Sequence, residues 1–251
     1  MTIRGSLASS AAVLAAFAVL APSPWSAAGY AESGPVPDRP AIRSVKVRPG
    51  APVAGPKGAV RLVVEVVARG ASGPRGVTLR VEPGGRRRMR APGGAAGGSG
   101  PDWEIWRFNP PVGLTRWYPA GRWRAVATAR NARGARATAT ATFLFRKATT
   151  FSRVRVTRAK RRAHAVRVTG TLMRVDPTGR FDYWTFPRQR VTLQFRKHAK
   201  GRWKKVATTR TNGDGDFARR VRRARGTWRV VYPGTRHYAD VSTSARHITR
   251  N

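Results

Sequence analysis

The sequence predicts an all-β protein, two tandem β-sandwich domains behind an N-terminal signal peptide. Three observations carry this reading. Apolar and polar residues alternate with period two through most of the chain, Gly, Pro, Asn and Asp separate the alternating runs, and nothing beyond the N-terminal segment keeps a helical period.

The signal comes first. Arg4 supplies the positive start, Ala11 to Ala21 form an unbroken apolar run of eleven, and Pro22 and Pro24 end it before the small residues of "SAAGYAES". The run is too short for a bilayer, which takes about 20 residues, and fits a secretory signal over residues 1–31, cleaved after Ala28 or Ala31, with an uncleaved anchor as the alternative. No second hydrophobic segment follows, so no membrane span is expected after cleavage, and the mature protein is expected outside the cell or at its wall.

The strands are next. Val60, Leu62, Val64 and Val66 share one face of "AVRLVVEVVA", with Arg61 and Glu65 on the other. "GVTLRVE" sets Val77, Leu79 and Val81 against Thr78, Arg80 and Glu82, and "RVTLQFRK" sets Val191, Leu193 and Phe195 against Thr192, Gln194 and Arg196. These patterns predict half-buried strands, about six in the first half and seven in the second. The boundary falls near "RKATTFSRVRV", giving domains over 41–147 and 153–250, each the size of a Greek-key sandwich. Within the first, 83–102 is rich in Gly and Arg and reads as a flexible loop or insertion.

"GRWRAVATAR" (Gly121–Arg130) and "GRWKKVATTR" (Gly201–Arg210) match closely. The better partner of Gly121–Trp123 is nevertheless Gly226–Trp228, because each of those tryptophans opens a next-to-last strand. Trp123, Trp203 and Trp228 all stand where a sandwich wants core aromatics.

"TNGDGDFARR" (Thr211–Arg220) begins like a calcium loop. Counted from Asn212, however, the sixth position is Phe217 and the twelfth Arg223, where an EF-hand needs Gly and a bidentate Glu. Asn-Gly and Asp-Gly supply the positive φ values of a tight hairpin, so the segment predicts a turn and no metal.

From Val191 onward the chain resembles a bacterial immunoglobulin-like module common in secreted proteins of high-GC Gram-positive bacteria. Gly201–Trp203, Asp214–Phe217, Gly226–Arg229, Pro233–Gly234, Tyr238 and Ser242–Ser244 follow its pattern in order, and "GRWRAVATARNARGARATATATF" in the first half resembles it more loosely. The resemblance implies immunoglobulin-like β-sandwiches, two in tandem, and the family has no shared catalytic residues to carry over; no cofactor is expected.

Composition points the same way. With no cysteine, disulfides, thiolate metal sites and cysteine nucleophiles are excluded. His164, His198, His237 and His247 are scattered without metal-ligand spacing, and "GGSG" is not a nucleophile elbow. Asp102 and Glu104 are the one close carboxylate pair outside the hairpin, and they read as a polar strand edge. The expectation is a non-enzymatic protein.

The charge remains. Fifty Lys and Arg against 11 Asp and Glu give a net +39. Only eight of the fifty are Lys, which is also what a GC-rich genome produces. A working charge implies polyanion partners. Lys160, Arg161 and Arg162 with Arg219, Arg220, Arg222 and Arg223 are the candidate residues, and anionic cell-wall polymer the first-choice ligand. A spacer without a ligand and an extracellular nucleic-acid binder are the alternatives.

Overall fold

The computed structural model describes residues 39–84, 89–91, 95–98, 103–158, 165–198, 200–222 and 226–248. The expected signal peptide, residues 1–31, lies outside them. Every element among the described residues is a β-strand.

In the first half the strands are β1 (Ala41–Arg48), β2 (Val53–Ala54), β3 (Val63–Arg69), β4 (Val77–Pro83), β5 (Met89–Ala91), β6 (Ala95–Gly98), β7 (Glu104–Phe108), β8 (Gly121–Arg130) and β9 (Arg136–Lys147). They form two sheets, ordered β1-β3-β7-β6 and β2-β9-β8-β4-β5, antiparallel except where β2 meets β9. One core lies between them. Val64, Val66, Trp106 and Phe108 come from the first sheet, and Val77, Leu79, Val81, Trp123 and Phe145 from the second. The alternation read from sequence is the cause: strand residues two apart share a face, so "VTLRV" delivers three buried aliphatic side chains to one side. Each contributes about 1.5–3 kcal/mol on full burial. The Gly/Arg-rich segment carries β5 and β6, so it is not loop throughout. Both strands lie at sheet edges.

The second half comprises β10 (Thr149–Arg158), β11 (Val166–Val175), β12 (Tyr183–Thr185), β13 (Arg190–Arg196), β14 (Lys204–Arg210), β15 (Asp216–Val221), β16 (Gly226–Tyr232), β17 (Val241–Ser242) and β18 (Arg246–Ile248). β10 pairs one edge of β11, while β15 and then β12 pair successive stretches of its other edge. The facing sheet is β14-β13-β16, with β18 and β17 dividing the far edge of β16. Val166, Val168, Val191, Leu193, Phe195, Phe217, Trp228 and Val230 make one core, and Leu172, Phe186 and Tyr232 a smaller one.

β10 starts at Thr149, although the sequence pattern opens the second domain only at 153. A β-bulge explains the difference. Ser152 pairs with Thr171 and Arg155 with Thr169, so Arg153 and Val154 together oppose one residue, Gly170. The extra residue inverts the alternation at that point. Only Ala148 then separates β9 from β10. Its amide donates to the Ala54 carbonyl at 2.8 Å, and its carbonyl accepts from the Val175 amide at 3.0 Å.

β8 and β16 begin alike. Gly121 (φ +133°) and Gly226 (φ +126°) adopt angles that L side chains rarely reach, and each precedes a tryptophan only 1% exposed, Trp123 or Trp228. Trp203 departs from expectation. It is not a core residue but lies against the guanidinium groups of Arg196 and Arg229, 4.5 and 4.3 Å from its ring. Both arginines alternate with core residues on β13 and β16, so this contact lies on the outer face.

Candidate polyanion-binding face and aromatic shelf

The outer face of the β10–β11–β15 sheet is basic. Val166, Val168 and Leu172 of β11 face the core, so Arg167, Thr169 and Thr171 face outward. The register sets Arg155 opposite Thr169, Arg167 opposite both Thr157 and Arg220, and Thr171 opposite Asp216. The bulge adds Arg153, whose φ of +52° is unusual for a residue with a side chain and costs about 1–2 kcal/mol. Bulges re-aim side chains, and this one brings Arg153 and Arg155 together at one cleft. Arg210, at the end of β14, enters from the far side. The cleft holds about 660 Å³ and is further lined by Thr169, Gly170, Thr171, Asn212, Asp216, Phe217 and Ala218.

Arg153, Arg155, Arg167, Arg210 and Arg220 are all exposed, and none belongs to an ion pair among the described residues. The nearby carboxylate, Asp216, accepts the Thr171 hydroxyl proton. Arg167 and Arg220 stand directly opposite each other, a cross-strand pairing that like charges disfavour by a few tenths of a kcal/mol or more. The first sheet pair is different. There Glu65 binds Arg48 and Arg107, and the buried Glu82 binds Arg80 and Arg124, at 2.9–3.4 Å.

The residues singled out from sequence divide. Lys160, Arg161, Arg162 and Arg223 lie outside the described residues. Arg220 belongs to the basic face. Arg219 pairs across from the core-facing Val168, shares its side of β15 with buried Phe217, and is exposed at that edge strand. Arg222 is exposed just past the strand end. A run contiguous in sequence is thus split between two faces by the strand period. Arg153, Arg155, Arg167 and Arg210 escaped sequence reasoning because only strand pairing brings them together.

Thr211–Asp216 is a hairpin turn. The Asn212 Oδ1 atom accepts from the amides of Asp214 and Asp216 at 3.0 and 2.8 Å, and Gly215 has φ +76°. Asn212 Oδ1 is thus committed to the turn. Millimolar calcium should leave the melting temperature unchanged, because only a ligand selective for the folded state raises it. Asn212→Ala should lower stability by about 1 kcal/mol through the lost turn bonds. A calcium-dependent rise abolished by Asp214→Ala would overturn the assignment.

A second surface feature lies where the two sheet pairs meet. Arg116, from the β7–β8 connection, donates to the carbonyls of Phe181 (2.9 Å) and Gly179 (3.1 Å) in the β11–β12 connection. Its neighbour Trp117 lies against the Cα of Gly179, whose φ is +79°. Phe181 and Trp184 stack on each other with centroids 5.1 Å apart. Trp117, Phe181 and Trp184 are 63%, 53% and 48% exposed, and the other large hydrophobic exposed among the described residues is Val112.

Buried Asp176 organises this loop. Its carboxylate accepts from the Thr178 amide and hydroxyl and from the Phe181 amide, each at 2.9 Å. Burial raises its pKa, but the hydrogen bonds from Phe181, Thr178 and Arg180 outweigh that and hold it below the usual carboxylate range. At the rim, Asp182 pairs with Lys57 at 3.4 Å. Lys147, also at the junction, has its ammonium pKa lowered by burial and then by Arg174 and Arg116. The sequence signal for this shelf is "GRFDYWTF", with four aromatics in six residues, but composition does not tell an exposed ring from a buried one.

No protein-family model matches the chain, and no curated protein does. Solved structures do match. The tetra-tandem repeat from the extending region of a large adhesion protein is 17% identical with a TM-score of 0.31, over 83% of this chain and 50% of that one. A Ca²⁺-stabilized adhesin with which an Antarctic bacterium binds ice is 18% identical at 0.25, over 82% and 48%. Bovine butyrophilin is 10% identical at 0.36, over 82% and 99%. The chain thus spans about half the length of the two adhesion proteins. With TM-scores this low, none of the three bears on function.

Proposed function

We propose that the protein is an exported, non-enzymatic binding module of two tandem immunoglobulin-like sandwiches, associating with anionic polymer of the cell envelope through its basic face. Strand order supports the fold assignment. β1, β3, β7 and β6 take the places of immunoglobulin strands A, B, E and D, while β4, β8 and β9 take those of C, F and G. In the second half β10, β11 and β15 correspond to A, B and E, with β13 and β16 as C and F. Export rests on the pattern of residues 1–31.

The observation that carries the binding role is four exposed arginines on one sheet face, Arg153, Arg155, Arg167 and Arg220, with Arg210 of the facing sheet joining Arg153 and Arg155 at the cleft, none with an ion-pair partner among the described residues. An anion seated there would relieve the Arg167–Arg220 opposition and use the strained Arg153. The spacer reading draws on one fact, that Arg61, Arg75, Arg122, Arg130 and Arg136 leave the first half exposed and basic too. Nucleic acid is less favoured, because the one ring lining the cleft, Phe217, is 3% exposed and offers no base a stacking surface.

The test is binding of the mature protein to purified anionic wall polymer across a salt series. Affinity should fall linearly on logarithmic axes, as released counterions require. Arg153→Gly should weaken binding while raising stability by about 1 kcal/mol, since glycine removes the φ strain. No binding at physiological salt would refute the proposal.

A further inference from the structure

We propose that Trp117, Phe181 and Trp184 form a binding site for neutral sugar rings, separate from the basic face. Three large aromatic side chains about half exposed or more are an unusual expense of apolar surface, and two distant segments bring them to one region, with Phe181 stacked on Trp184 and Trp117 against Gly179 of the connection that carries Phe181. They are also held in place. Asp176 fixes the loop through the Phe181 amide, Arg116 ties the Gly179 and Phe181 carbonyls to the neighbouring segment, and the Phe181–Trp184 stack limits each ring's rotation. A surface ordered before its ligand arrives avoids the entropic cost of ordering it afterwards.

The chemistry of the rim selects the ligand class. A pyranose presents polarised C–H bonds on one face, which suit the negative face of an aromatic ring, and hydroxyls around its edge. Those hydroxyls need donors and acceptors together. The Lys57–Asp182 pair supplies both beside Phe181, on a chain whose charge elsewhere is overwhelmingly positive. A nucleic acid fits less well: two rings already stacked on each other leave no slot for a base between them. Gly179 permits the arrangement. A Cβ there would collide with the Trp117 ring, and φ +79° disfavours any side chain.

The experiment is calorimetric titration of the mature protein with cellohexaose and with the hexamer of N-acetylglucosamine in 1 M salt, where charge effects are largely screened. Binding of at least one hexamer is expected. Trp184→Ala and Trp117→Ala should each weaken it about tenfold, the usual effect of removing an anchoring ring, and Trp184→Phe should restore most of the loss. Neutralising the five basic-face arginines should leave it unchanged, so this site and the basic face can fail independently. Binding of neither hexamer overturns the proposal. So does tighter, salt-sensitive binding of oligo-dT at the same tryptophans, or self-association lost in Trp184→Ala, which would make the shelf a contact between copies.

Discussion

Gly226→Ala should lower stability by about 3 kcal/mol, against about 1.5 kcal/mol for Gly121→Ala. The two glycines open equivalent strands with nearly the same φ, so both alanines bear a backbone cost of about 1–2 kcal/mol. Their surroundings differ. A Cβ on Gly226 would strike the Phe195 ring and lie 2.6 Å from the Arg196 carbonyl oxygen, inside a closed core. On Gly121 its nearest neighbour is the His237 ring at 3.4 Å, an ordinary contact. Overpacking a core adds about 1–3 kcal/mol, and only Gly226 incurs it. Urea unfolding followed by tryptophan fluorescence measures both. Equal losses would mean that backbone angle alone governs and that the second core can yield.

Neutralising Arg153, Arg155, Arg167, Arg210 and Arg220 together should weaken binding to anionic wall polymer on the order of a thousandfold. Each cation near an anionic surface contributes about 1 kcal/mol, and about 1.4 kcal/mol is a factor of ten. The slope of affinity against salt should become shallower by roughly 0.7–0.9 per lost contact. Neutralising Arg61, Arg75, Arg122, Arg130 and Arg136 removes the same net charge from the first half and should do much less. The fold should survive both changes, since exposed substitutions away from special features usually cost under about 0.5 kcal/mol each. Equal losses from the two sets would identify a diffuse field without a site.

Alternation made the core legible from sequence: Val77, Leu79, Val81, Val191, Leu193 and Phe195 are buried as their spacing requires. The hairpin was legible as well, but only Asp-Gly supplies a positive φ, at Gly215 (+76°); Gly213 of Asn-Gly has none, and Asn212 contributes its side-chain oxygen to the turn instead. Three features were not legible. The bulge at Arg153 breaks the period that would reveal β10. Trp203 has the local context of Trp123, yet it lies outside the core because the residues after Gly201 do not enter a strand at once. The basic face joins residues from four segments, and its members acquire a common side only through register. Charge runs along the chain were a poor guide to it, as the division of Arg219 from Arg220 shows.

β11 gives the two proposed contacts a fixed spacing. Thr169–Thr171 line the arginine cleft, and three residues later Arg174 pairs with Trp184 of the shelf. A strand rises about 3.3 Å per residue, so about 10 Å of hydrogen-bonded backbone connects them. A ligand carrying both charged groups and sugar rings, once captured at one point, would meet the other as a tethered neighbour, at an effective concentration of roughly millimolar or more. No linker has to be ordered for that second encounter. Two individually weak contacts could then retain a polymer chain through avidity alone.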